Sequence, residues 1–149
     1  MADTLLDVVN DNDEIIGQRL RSEIHALGLR HREVHVWFIT PDRHVIFQRR
    51  SPTKESAPNM LDATAGGHVE LGQNYINAAL MEIQEETGLS LKAEDLQEIV
   101  YLKTNWNDTL TPTKNNPFRK SYVYIFQGNI KDLNIEHEQG AGFVTLPLD

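Results

Sequence analysis

Residues 67–89 read Gly67-His-Val-Glu-Leu-Gly-Gln73-Asn-Tyr-Ile-Asn-Ala-Ala-Leu-Met81-Glu82-Ile-Gln-Glu85-Glu86-Thr-Gly88-Leu89. Ile76, Ala79, Leu80 and Ile83 recur at helical spacing and predict a helix with one apolar face. Gly66 and Gly67 precede it, and Gly88 stands where a left-handed helix end favours glycine. On such a helix Glu82, Glu85 and Glu86 lie at i, i+3 and i+4, so their like charges crowd one face. A hard divalent cation bound through carboxylate oxygens turns that repulsion into coordination. Without a cation, the same run is a solvated acidic face. The apolar stripe reads as core and leaves the glutamates on a separate face.

The segment resembles the Nudix box, G-x5-E-x7-R-E-U-x-E-E-x-G-U with U aliphatic. Gly67, Glu82, Ile83, Glu85, Glu86, Gly88 and Leu89 match it. Gln73 stands at the first glutamate and Met81 at the arginine. In the family that arginine helps to hold the catalytic carboxylates, and the first glutamate supports the loop or has been proposed as a base. Gln73 keeps an acceptor but takes no proton at neutral pH, and Met81 offers packing only. The resemblance implies an α/β fold, a Nudix-like α/β/α sandwich around a mixed β-sheet, formed by residues 1–149 as one domain.

The 149 residues suit one core, and the composition, 40% hydrophobic and 24% charged, is that of a soluble globular chain. No apolar run reaches membrane-spanning length, and Met1-Ala-Asp-Thr lacks the features of a secretory leader. A cytoplasmic location and no membrane partner are therefore expected. Zero cysteines exclude disulfides, thiolate metal sites and a cysteine nucleophile. A net charge of −8 argues against a nucleic-acid surface and is compatible with a cation-loaded acidic site.

Elsewhere the pattern predicts strands at 5–9, 15–20, 34–39, 44–48, 97–104, 121–127 and 143–146. Ser22 is the expected cap of a short helix ending near Gly28. Residues 49–62 and 105–118 read as irregular loops. The first carries Arg49, Arg50 and Lys54, whose forks and ammonium suit phosphate oxygens but also suit a solvated strand end.

Further landmarks, Asn10-Asp-Asn-Asp-Glu-Ile-Ile-Gly17, Arg21 to His25, His31 to Trp37, Gln48 to Lys54 and Gly66-Gly-His68, resemble the Nudix branch that includes isopentenyl diphosphate isomerase. The isomerase cysteine corresponds to Gly66, so the resemblance moves to isomerase-like hydrolases of a diphosphate linked to another moiety. His25, His31 and His68 match metal-binding or site-lining positions, although the His25–His31 spacing is one residue short of the pattern. Neutral imidazoles suit a transition metal, and backbone-satisfied histidines are the alternative.

The resemblance implies Mg²⁺, with Mn²⁺ as an alternative, on Glu82, Glu85, Glu86 and the Gly66 carbonyl. Glu86 leads that set. Glu85, Glu70 and Glu138 are the candidates for activating water, and Trp106 either stacks on a base or anchors its loop. The expected partner is a small-molecule diphosphate. Relatives usually continue into a further helix after the last strand, where this sequence reads Leu146-Pro-Leu-Asp149, and a homodimer is one way to cover that face. A diphosphate-binding module with weak catalysis is the competing expectation.

Overall fold

A computed structural model describes residues 3–54, 57–107, 109–110, 113–135 and 140–149. The elements run β1 (Leu5–Val9), β2 (Ile15–Leu20), α1 (Arg21–Leu27), β3 (Arg32–Ile39), β4 (His44–Arg50), β5 (Leu61–Asp62), β6 (Ala65–His68), α2 (Tyr75–Thr87), β7 (Gln97–Lys103), β8 (Trp106–Asn107), β9 (Lys114–Asn115), β10 (Phe118–Ile125) and β11 (Gly140–Pro147). The main sheet is ordered β11-β4-β3-β10-β7, with β5 added to β4 and β6 added to β3. Only the β3–β10 pair is parallel, so the sheet is mixed as expected. The β1–β2 hairpin and the β8–β9 ribbon stand apart from it.

Alternation along β3 builds the core. Val34, Val36 and Phe38 turn to one face, where α2 presents Ala78, Ala79 and Ile83, and Ile46, Ala65, Phe118 and Tyr122 join them. Helix α2 is well formed locally: the Asn74 side chain accepts from the Asn77 amide at 2.9 Å, and Gly88 ends the helix at φ 82°. Helix α1 packs on β1, β2 and β9.

The strand β3 changes neighbours midway. Beside β4 it pairs only at Phe38 and Ile39, whereas Glu33 to Val36 pair with β6. Thr64 fills the fork. Its hydroxyl donates to the Ile46 carbonyl and accepts from the Phe38 amide, and Gln48 Nε2 donates to the Thr64 carbonyl.

Four local expectations change. Ser22 lies inside α1, whose N-cap is Leu20, and its amide and hydroxyl both donate to Asp3 instead. Arg49 and Arg50 belong to strand β4, because its pairing continues onto β5 and β11. The glycine pair is strand β6, not a loop before the helix. Residues 105–118 contain the β8–β9 ribbon and the first residue of β10.

Candidate functional site

The glycines of β6 lie against helix α2. A Cβ on Gly67 would lie 2.5 Å from Glu82 Oε1, and one on Gly66 would lie 2.8 Å from the Val34 carbonyl oxygen. A side chain on Gly66 would meet fixed backbone and one on Gly67 would have to displace the Glu82 carboxylate, so the glycines let α2 bring its carboxylates against bare backbone. The Gly66 amide donates to Glu86 Oε2 at 2.8 Å. Glu86 is consequently buried on the face that also carries Ala79 and Ile83, which corrects the expectation of a glutamate face separate from the core. Glu82 is half-buried at Gly67, and Glu85 is exposed.

Glu82 and Glu86 therefore face the glycine strand, with Glu85 on the solvent side. Their donors are all oxygen and anionic, which fits a hard divalent cation. The three are not drawn into one tight cluster: among the described residues, the group whose ligand atoms all lie within 4.8 Å of one another is His25, His31 and His68.

That histidine cluster joins α1, the start of β3 and the end of β6. Ring centroids are 5.1 to 5.5 Å apart. His31 Nδ1 lies 3.0 Å from the Leu29 carbonyl, to which it can only donate, so Nε2 carries the lone pair. His31 Nε2 and His25 Nε2 are buried with no hydrogen-bond partner among the described residues, and so is Asn115 Oδ1. Burial lowers all three histidines, His31 to about 4 and His68 well below its ordinary value, with positive neighbours adding to the effect. The rings are neutral at pH 7 and chemically suited to a borderline metal such as Mn²⁺ or Zn²⁺.

Of the predicted cations, Arg50 pairs with Asp62 at 3.2 Å, Arg49 donates to the Asn59 carbonyl at 2.9 Å, and Lys54 is half-buried in the following loop. Arg119 escaped the sequence reading. It bonds Glu33 from the neighbouring strand β10. Burial raises the Glu33 carboxyl against the pull of Arg119. Between these two ion pairs sits His35, directly opposite Gly66, and burial together with Arg119 lowers it to about 4.

Glu70 is exposed, and its amide donates to Gln73 Oε1 at 3.0 Å, which makes Gln73 the brace of the loop before α2. Trp106 lies exposed in the ribbon that packs on α1. Glu138 lies outside the described residues. No described helix is long and apolar enough to cross a membrane.

The NUDIX domain model matches residues 29–145. An uncharacterised Nudix hydrolase of Clostridium acetobutylicum is 28% identical over 152 aligned positions, covering the whole chain and 72% of that protein. The chain spans about half the length of the other curated relatives it matches most strongly. A crystal structure from Deinococcus radiodurans superposes with a TM-score of 0.72 at 26% identity, over 96% of this chain and 83% of that one. The NUDIX domain of Shewanella oneidensis NrtR, solved with ADP ribose, gives 0.61 at 12% identity, over 80% and 73%.

Proposed function

This chain belongs to the Nudix family, and from that premise we propose that it is a hydrolase of a phosphoanhydride bond in a nucleoside diphosphate linked to another moiety. The observation that carries the reading is the delivery of Glu82 and Glu86 to the bare backbone of Gly66 and Gly67. The relative solved with ADP ribose supports the choice of substrate class.

Mg²⁺, with Mn²⁺ as the alternative, would be held by Glu82, Glu86, Glu85 and the Gly66 carbonyl. It would neutralise phosphate charge and polarise the phosphorus centre. The chain's own groups do the rest. Gly66 fixes the Glu86 carboxylate through its amide, so that oxygen is oriented before substrate arrives. Arg50 and Arg119, each held by a carboxylate, supply forks for phosphate oxygens, with Arg49 beside Arg50 on β4 and Lys54 in the loop that follows. Glu85, the exposed carboxylate of the three, is assigned to water activation, with Glu70 and Glu138 as its rivals.

The histidine cluster supports the isomerase-like branch. Its neutral nitrogens would hold a second, softer cation that ties α1 to β6. Isomerisation through the usual cysteine is closed to a chain without cysteine.

Gln73 and Met81 favour the rival reading, a module that grips a diphosphate and cleaves it poorly. Product analysis by mass spectrometry decides between them, using nucleotide sugars, dinucleotides, nucleoside diphosphates and prenyl diphosphates with Mg²⁺, with chelator, and with Glu86→Gln. Metal-dependent cleavage lost in the variant supports the hydrolase. Ligand binding without turnover on any class leaves the module.

A further inference from the structure

On β3, the residues between the core-facing ones (Glu33, His35, Trp37 and Ile39) turn to the face opposite α2. Side chains on that face change character along β3, counted from the end that pairs with His68 of the glycine strand. At that end is the ion pair Arg119–Glu33. Then comes His35, in register with Gly66. Two residues on, about 7 Å along the strand, is Trp37. Its ring stands edge-on to His35 at 6.4 Å and to Phe47 of β4 at 5.6 Å. Val123 of β10 lies opposite Trp37 and completes an apolar floor. Trp37 and Phe47 are both partly exposed, so the floor is accessible to a ligand.

Charged, then polar and neutral, then aromatic is the order of groups in a nucleotide read from phosphate through sugar to base. A prenyl diphosphate has no polar group between phosphate and hydrocarbon, and His35 would there face only methylenes. We infer that the base of a nucleoside diphosphate lies on the Trp37–Phe47 floor, with its sugar over His35. Trp37 and Phe47 thereby set the specificity of the site. The inference rests on the reading of the glycine strand as the phosphate end.

The test uses the full chain carrying Trp106→Phe, which leaves Trp37 as its sole tryptophan. Its emission is followed on titration with α,β-methylene-ADP, methylenediphosphonate, adenosine and geranyl diphosphate, each in Mg²⁺. The nucleotide should quench Trp37, and adenosine should do so more weakly. Calorimetry on Trp37→Leu should show the nucleotide bound roughly tenfold more weakly, the cost of one lost stacking contact. Affinity for methylenediphosphonate should be unchanged.

Phe47→Leu serves as a second variant where Trp37→Leu melts early. Nucleotide affinity indifferent to both variants would overturn the inference, as would tighter binding of geranyl diphosphate with the same dependence on Trp37, or no binding of any probe. A change of oligomeric state in Trp37→Leu with nucleotide affinity intact would assign the face to a second copy instead. Quenching without hydrolysis of any substrate removes the hydrolase reading alone. Hydrolysis indifferent to Trp37 removes the stacking floor alone.

Discussion

Gln73 Nε2 donates a hydrogen bond to Met81 Sδ at 3.3 Å, so the two positions at which this chain departs from the Nudix pattern touch each other. A glutamate and an arginine at these two sites would form an ion pair; here an amide meets a thioether. The contact keeps the loop braced and removes one positive charge from beside three glutamates.

Two expectations follow for catalysis. Gln73→Glu alone adds a carboxylate with no new cation, Met81→Arg alone adds a cation with no carboxylate at position 73, and the double variant restores the pair. The double variant should turn over about tenfold faster than either single, with a coupling of roughly 1 kcal/mol or more in the activation free energy. Steady-state kinetics on the four proteins tests it, and strictly additive effects would sink the idea.

Substitutions separate the structural contact of Glu86 from the chemical role proposed for it. Glu86→Gln keeps an acceptor for the Gly66 amide and should fold normally while losing at least about a hundredfold in turnover. Glu86→Ala leaves that half-buried amide unpaired and should also lose about 1–3 kcal/mol in urea unfolding. Equal stability of the two variants would show that the Gly66 contact is not structural.

The histidines make stability fall with acid. His31 is lowered to about 4 in the fold against 6.5 in the unfolded chain, and His25 and His68 shift the same way. Between those values the unfolded chain binds more protons, so stability is full above about pH 6.5 and declines as the pH falls toward 4. His31→Leu should flatten that limb of the Tm–pH curve. A metal assay after equilibration with Mn²⁺ or Zn²⁺ should also show one ion fewer in His31→Leu than in the parent. An unchanged metal content would remove the second-cation reading.

Asp13 should be among the costliest side chains to remove outside the core. At φ 60° its carboxylate accepts from Tyr75 Oη at 2.6 Å, Tyr101 Oη at 2.5 Å and Arg32 Nε at 2.7 Å. Tyr75 is the first residue of α2, so the β1–β2 turn is clamped to the start of the glutamate helix. Asp13→Ala should cost roughly 3 kcal/mol in chemical unfolding, since it strands a partly buried arginine and two hydroxyls. A loss below about 1 kcal/mol would show that the clamp is redundant.

The helix, its glycine stop and the carboxylate spacing were legible because they depend on periodicity and residue type. Strand β6 was not. Two adjacent glycines carry no strand signal, and what crowds them, the Val34 carbonyl at Gly66 and the Glu82 carboxylate at Gly67, lies on other elements. The burial of Glu86 was equally hidden, because a backbone amide twenty residues away satisfies it. Arg119 reaches Glu33 only through the parallel register of β10 and β3, a pairing between segments 86 residues apart. The three histidines could be singled out in the sequence by resemblance. That their nitrogens converge, and that Asn115 brings another unpaired oxygen beside His31, required the fold.

The Thr64 hydroxyl ties the start of the glycine strand to both β3 and β4. One side chain thus holds β3 and β4 at the point where they part, two residues before Gly66. The place of Gly66 is thereby coupled to how β4 sits on β3, so a change in that pairing is felt at the glycine strand.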